Sequence, residues 1–303
     1  MRVRVLGAAA GGGFPQWNCN CANCRGLRAG AIRAKARSQC SIAVSADGSR
    51  NTSPWMLLNA SPDLRAQISS FPELLPKTEA RGSSIASVML TDAELDHVAG
   101  LLSLRETHPL ALHCTRRVYE WLFEANPVFG ALIEGSRFRW EPVENRKPTE
   151  CRETGLTWEA VFVGGKVPSY IKTAFDNIGS QIGYIIKHGK GKTSILYVPA
   201  IRSISEELID IASRCDCILF DGSFWSDDEM ARRGVGTRTS LAMGHVPIDG
   251  TEGSLVRMSH LRARKVYTHI NNTNPILDED SPERRAVEAA GWEVAEDGME
   301  IIL

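Results

Sequence analysis

The chain has 303 residues, 35 Lys and Arg against 36 Asp and Glu, a formal net charge of −1 and 43% hydrophobic residues. That balance gives no electrostatic reason to expect nucleic acid or another polyanion as a partner. No stretch approaches the roughly 18 uninterrupted apolar residues of a membrane span. The opening from Met1 to Phe14 is too short and too glycine-rich for a signal peptide, so the expectation is a cytoplasmic protein. In that setting eight cysteines mean metal more readily than a disulfide framework.

No repeat, low-complexity tract or linker divides the sequence, which reads as one domain over 1–303. Arg2 to Gly7 alternates like a strand and runs into the glycine-rich Gly11-Gly12-Gly13. Cys40 to Ala46 and Trp55 to Asn59 read as paired strands around an Asp47-Gly48 turn, and Ser61-Pro62-Asp63 as an N-cap with proline at the first helical position. Ile85 to Leu90 is a short buried strand, and Val98 to Arg105 has helical spacing. Ile182 to Lys187 and Thr193 to Val198 predict a hairpin, and a helix from Ser205 to Ser213 leads into the apolar strand Cys217 to Phe220. Lys265 to His269 is a further strand, and Ser281-Pro282-Glu283 opens a last helix before a terminal strand. Antiparallel groups at both ends with helices between them predict two packed sheets with helices outside, a mixed α/β sandwich.

Two segments carry chemistry. Cys19-Asn20-Cys21-Ala22-Asn23-Cys24 puts three thiols within six residues, a knuckle able to aim three sulfurs at one ion. Zinc in structural sites takes four such ligands in a tetrahedron, so structural zinc is the favoured reading. A redox Cys21-x-x-Cys24 pair is disfavoured because no thioredoxin-like unit follows it. Cys40, Cys114, Cys151, Cys215 and Cys217 lie in apolar or strand contexts and read as buried packing.

The second segment, Thr91-Asp92-Ala93-Glu94-Leu95-Asp96-His97, follows a buried strand, where α/β folds present chemistry. An acidic helix N-terminus, capped by Asp92 and with Glu94 favoured by the dipole, accounts for the same residues. Near the carboxy terminus a strand ends in Thr268-His269 and an asparagine-rich loop, Asn271-Asn272-Thr273-Asn274.

Asp92-x-Glu94-x-Asp96-His97 resembles the His-x-His-x-Asp-His signature of the metallo-β-lactamase superfamily, and Thr268-His269 resembles that superfamily's last ligand. The three cysteines after Gly7 resemble the zinc-holding cysteines of its phosphodiesterase branch. From Gly11-Gly12-Gly13-Phe14-Pro15-Gln16-Trp17-Asn18-Cys19, through Phe220-Asp221-Gly222-Ser223-Phe224-Trp225, to His269–Pro275, the chain is similar to the PQQ-synthesis protein B family. The resemblance implies an αββα sandwich and a role in pyrroloquinoline quinone biosynthesis.

It also implies where this chain departs from the superfamily. The first two signature histidines are Asp92 and Glu94. The middle-loop histidine is missing from Val161–Tyr170, where Lys166 stands instead, and the bridging aspartate is missing from Val198-Pro199-Ala200. Asp96, His97 and His269 survive. Two histidines and a carboxylate with open positions form the ligand set of non-haem Fe(II) oxygenases, whereas two-metal hydrolysis needs the second cation that these losses remove.

The departures favour Fe(II) on Asp96, His97 and His269 with dioxygen as cosubstrate, and the family resemblance implies the matching activity, hydroxylation of the tyrosine ring of a Glu–Tyr cross-linked precursor. Asp92 and Glu94 suit a second cation, a phenolic proton or a substrate amine; loop capping is the alternative for both. Lys166 suits a substrate carboxylate, with a plainly solvated lysine as the alternative. Asp221, ending an apolar strand, is placed like a site residue or a turn cap. His245 resembles a general-acid histidine of the phosphodiesterases, and Asn272 stands where those relatives carry a zinc ligand, making it the candidate fourth ligand beside Cys19, Cys21 and Cys24. Two other readings stay open: a residual metallo-hydrolase, and a non-catalytic carrier of the cofactor or its precursor. The expected partner is a small peptide-derived substrate, and contacts with other PQQ biosynthesis proteins or a homodimer are left open.

Overall fold

The computed structural model describes residues 1–46, 53–77, 79–106, 108–171, 177–189 and 193–303. Its strands are β1 (Arg2–Gly7), β2 (Ser41–Ser45), β3 (Trp55–Leu58), β4 (Ile85–Met89), β5 (Leu110–Cys114), β6 (Phe138–Pro142), β7 (Thr149–Cys151), β8 (Leu156–Phe162), β9 (Ile182–His188), β10 (Thr193–Val198), β11 (Cys217–Asp221), β12 (Arg264–Thr268), β13 (Trp292–Val294) and β14 (Glu300–Ile302). The first six build one sheet and the next seven the other, while β14 crosses back to pair antiparallel with β1. In the first sheet β3 to β6 run parallel, and in the second β10 to β13 do. Helices cover the outer faces, giving the αββα sandwich.

Side-chain alternation explains the layers. In β3, Met56 and Leu58 face the inter-sheet core with Val3, Val5, Ile42 and Val44, and meet Trp158, Tyr184, Ile195 and Tyr197 of the second sheet. Trp55 and Leu57 face the other way, into a layer beneath Leu64, Val98, Leu101 and Leu104. The second sheet sends Leu196, Ile218 and Phe220 outward against Leu208, Ile211 and Val287. Both faces of the central strands are buried, so their sequences read as continuous apolar runs.

The structure departs from the sequence expectation in three places. The helix expected from Ser61 begins at Leu64, with Asp63 at its N-cap position. Ser61 does not cap it: Leu64 N bonds to Ser61 O and Asp63 N to Ser61 Oγ, so Ser61 to Asp63 form a turn ahead of the helix, while Ala60 is tied by backbone hydrogen bonds to His97 and Gly100. The spacing from Val98 to Arg105 belongs to a short α-helix, Leu95–Val98, that tightens into a 3₁₀ run, Ala99–Glu106. Three residues per turn puts Val98, Leu101 and Leu104 in one buried row. Strands β5 to β8 were not anticipated; β6 is a largely unburied edge strand and β7 has three residues, too little pattern to read. The Asp47-Gly48 turn lies outside the described residues.

The expected hairpin of β9 and β10 is present. Ser205 and Ser281 cap Glu206–Ser213 and Pro282–Ala289, accepting from Leu208 N and Arg284 N. No helix among the described residues is long and apolar enough to cross a membrane.

Candidate metal centre

The parallel strands of both sheets end at one edge of the sandwich, where a cleft of about 160 Å³ opens between them. The loop after β4 is pinned to both sheets: Thr91 N donates to Asn59 Oδ1 at 3.0 Å, and Thr91 O accepts from Ile182 N at 2.8 Å. This anchoring presents Asp92, Glu94, Asp96 and His97 to the cleft.

Asp92 lies against the His97 ring. Its carboxylate oxygens are 2.9 and 2.8 Å from His97 Nδ1, and they also accept from Glu94 N at 2.9 Å and Thr91 Oγ1 at 2.9 Å. A carboxylate only accepts, so Nδ1 donates, and the ring's other nitrogen is left to the cleft. That nitrogen, Nε2, is buried and has no hydrogen-bond partner among the described residues.

His269 closes the site from the end of β12. Its backbone sits at φ 56°, in the left-handed region that a non-glycine residue adopts only when its surroundings hold it there. Its Nε2 is 3.2 Å from Asp96 Oδ2 and its Nδ1 is 2.8 Å from Ser223 Oγ. Ser223 Oγ is 2.6 Å from Asp221 Oδ1, so the hydroxyl proton goes to the carboxylate and Ser223 accepts from His269 Nδ1. Nε2 then carries a lone pair facing the Asp96 carboxylate. Two acceptors brought so close form a juxtaposition that a cation relieves. Ligand atoms of Asp96, His97 and His269 all lie within 4.8 Å of one another, and the two rings meet edge to face at 4.9 Å.

His245 stacks on His269 with ring centroids 5.2 Å apart. Its Nδ1 is 2.8 Å from Asp221 Oδ2, which also accepts from Ile201 N at 2.9 Å. Asp221 is fully buried, and its oxygens face His245, Ser223 and that amide. Across the cleft, Lys166 Nζ pairs with Glu94 Oε1 at 3.2 Å.

The electrostatics follow from burial against these partners. Burial disfavours charge on His97, but Asp92 and Asp96 override it and raise the imidazole well above its ordinary value. Burial likewise works against the carboxylates of Asp92 and Asp96, and the facing His97 holds both below the usual range. For His269 burial dominates and lowers the pKa, and for Glu94 burial raises it despite Lys166.

The cysteine knuckle lies apart from this set. Cys19, Cys21 and Cys24 bring their sulfurs within 4.8 Å of one another. Asn272 Nδ2 lies 3.1, 3.5 and 3.3 Å from the three of them, a donor aimed at the sulfurs. The other five cysteines are buried.

Every residue singled out in the sequence thus falls in the cleft or at the knuckle, with Asp92 and Asp221 placed behind histidines. Sequence reasoning missed Ser223, which touches Asp221, His245 and His269 at once. The available signal was the polar Asp221-Gly222-Ser223 directly after a wholly apolar strand. It also missed Tyr170, whose hydroxyl donates to Ala93 O.

Residues 54–270 match the beta-lactamase superfamily domain. The chain is 42% identical over the full length of both chains to coenzyme PQQ synthesis protein B of Azotobacter vinelandii, and 45% identical to that of Ruegeria pomeroyi with the same coverage. Among solved structures, Zn(2+)-bound PqqB from Methylobacterium extorquens superposes with a TM-score of 0.91 at 40% identity, covering 100% of each chain. A diphosphatase of the PhnP family superposes with a TM-score of 0.67 over 100% of this chain and 97% of that one; at 20% identity it speaks for the fold alone.

Proposed function

Because the chain belongs to the coenzyme PQQ synthesis protein B family and carries a beta-lactamase superfamily domain, we propose that it serves PQQ biosynthesis as a metal-dependent enzyme, specifically an Fe(II)-dependent hydroxylase. Its substrate in this reading is a Glu–Tyr cross-linked precursor, hydroxylated on the tyrosine ring with dioxygen as cosubstrate.

The observation that carries the reading is the buried, unpartnered Nε2 of His97 beside the paired His269 Nε2 and Asp96 Oδ2. Two imidazole nitrogens and one carboxylate fit Fe(II) with positions left open. When bound, that ion supplies the one-electron chemistry dioxygen requires.

The chain's own groups do the rest. Asp92 keeps the proton of His97 on Nδ1, and Ser223 does the same for His269, so both rings offer Nε2 as a lone pair. Asp221 holds His245 by Nδ1, leaving its other nitrogen to take the phenolic proton. Lys166 and Glu94, paired across the cleft, suit a substrate that carries carboxylates and amines. At the knuckle, the three sulfurs of Cys19, Cys21 and Cys24 suit a structural zinc; Asn272 faces them with Nδ2, a donor, and would ligate only through its carbonyl oxygen.

A two-metal hydrolase is less well supported. Asp92 commits its oxygens to His97, Thr91 and the Glu94 amide, and Glu94 is paired with Lys166. Asp92 has no oxygen to spare for a second cation, and a cation at Glu94 would have to displace Lys166. A carrier has no use for a converging donor set of this kind.

The test is anaerobic reconstitution with Fe(II), followed by dioxygen, a reductant and a cross-linked Glu–Tyr dipeptide. Oxygen uptake and a product heavier by one oxygen atom per hydroxylation are expected. No oxygen uptake, or full activity in His269→Ala, overturns the reading.

A further inference from the structure

A buried hydrogen-bond path joins the cysteine knuckle to the histidines of the cleft. Asn23 lies in the helix Ala22–Arg28, between Cys21 and Cys24, and is buried. Its Nδ2 donates to Asn272 O at 3.1 Å and to Asn274 O at 2.9 Å. Asn274, with no exposed surface, donates in turn to Gly222 O at 2.9 Å and Ser223 O at 3.3 Å, while its Oδ1 accepts from Ile276 N at 3.0 Å. Ser223 then reaches Nδ1 of His269 at 2.8 Å and of His245 at 3.0 Å.

The same loop is fastened to the knuckle's approach. Ala10 N donates to Ile270 O and Ile270 N to Ala8 O. Gly11, next along, passes so close to Asp96 that an added Cβ would sit 3.3 Å from Oδ2. His269 therefore holds its left-handed backbone at one end of a loop whose other end, Asn272 to Asn274, is clamped to the knuckle by both side chain and main chain.

We infer that Asn23, Asn274 and Ser223 form a positioning relay through which the cysteine knuckle sets the seating of His269 and His245, coupling two sites that share no ligand. The inference rests on the reading of Asp96, His97 and His269 as the iron-holding set. Its physical basis is that every link from Asn23 to His269 joins a buried donor to a buried acceptor, with only the branch to His245 part-buried. A shift of the knuckle helix cannot be absorbed by water and passes to the next link. Ser223 is the last link, and it decides which nitrogen of His269 keeps the proton. A misplaced hydroxyl puts that proton on the nitrogen that must coordinate.

The experiment uses full-length, zinc-loaded protein titrated anaerobically with Fe(II), with bound iron and zinc measured after dialysis. Ser223→Ala should weaken iron binding about 10- to 100-fold, the range for partners that orient a ligand. Asn23→Ala touches no cleft ligand, yet should weaken iron binding about fivefold or more while zinc stays stoichiometric. The double variant should bind iron no worse than Ser223→Ala alone, since both changes break one path.

Unchanged iron affinity in a zinc-retaining Asn23→Ala, or fully additive losses in the double variant, overturns the relay. If Asn23→Ala sheds zinc, Asn274→Asp takes its place: it keeps the Oδ1 cap on Ile276 and removes the donor to Gly222 and Ser223, and unchanged iron affinity there overturns the relay equally. Wild-type protein that takes up zinc but no iron overturns the reading of the cleft itself, and the relay with it. Wild-type binding with indifferent variants removes the relay alone.

Discussion

Glu229→Gln is expected to stabilise the protein above neutral pH and to change little in acid. Glu229 begins the short helix Glu229–Arg232 and is 3% exposed. Its carboxyl accepts from Trp225 N at 2.6 Å and Thr273 Oγ1 at 2.5 Å, and Thr273 Oγ1 in turn accepts from Asn271 at 2.5 Å. Burial pushes the carboxyl up from 4.5 to about 7, against the opposing hydrogen bonds from Thr273 and the Trp225 amide. The native state therefore holds this proton more tightly than the unfolded chain does. The stability it contributes is complete below pH 4.5 and is lost as pH rises to about 7, a loss of about 3 kcal/mol. Glutamine has the same shape, still accepts from Trp225 N and can donate to Thr273 Oγ1, but has no charge to desolvate. At pH 8 the variant should exceed wild type by up to about 3 kcal/mol, or about 5 °C in Tm for a chain of this length. Thermal unfolding followed by circular dichroism from pH 4.5 to 8, on zinc-loaded protein, measures the difference. A variant less stable than wild type at pH 8, or an offset indifferent to pH, refutes the reasoning.

Three further outcomes follow from the site. Asp92→Asn leaves one oxygen to serve both the Glu94 amide and His97 Nδ1, so Fe(II) affinity should fall about 10- to 100-fold with the fold kept; an unchanged dissociation constant excludes Asp92 as the group that sets the His97 tautomer. Lys166→Met removes the partner of Glu94 and should raise KM for a carboxylate-bearing substrate about tenfold while kcat moves less; a fall in kcat at constant KM argues against a binding role. Cys21→Ser should lose zinc and lower the Tm, and elemental analysis that still finds stoichiometric zinc would sink the knuckle assignment.

Much of this was legible in one dimension because the residues concerned are neighbours in sequence. Cys19, Cys21 and Cys24 fall within six positions, so spacing announces them, and Asp92 to His97 fall within another six, where the family resemblance was needed to tell a site from an acidic helix N-terminus. Alternation within β1 and the serine caps at Ser205 and Ser281 are equally local. The helix start at Leu64 was not legible, because Ser61 to Asp63 form a turn whose preceding residue, Ala60, is anchored to His97 and Gly100, far along the chain. Strands β5 to β8 escaped for a related reason: β6 is an edge strand held by pairing to β5, and its own residues do not alternate cleanly.

Sequence alone determined the residue types available for chemistry: three clustered thiols, an acidic-histidine loop with its first two histidines replaced by carboxylates, and a strand-end histidine. It also carried the family resemblance and the sandwich. Tertiary structure decided which of those groups face each other. Asp92 points at the back of His97, Asp221 at His245, and Ser223, unremarkable in the sequence, bonds to three of the site's residues. Side chains that face each other across 46 residues of sequence, as Ser223 and His269 do, or across 173, as Asp96 and His269 do, are set by how two sheets pack. A proton's place on an imidazole depends on that packing, and no local pattern encodes it.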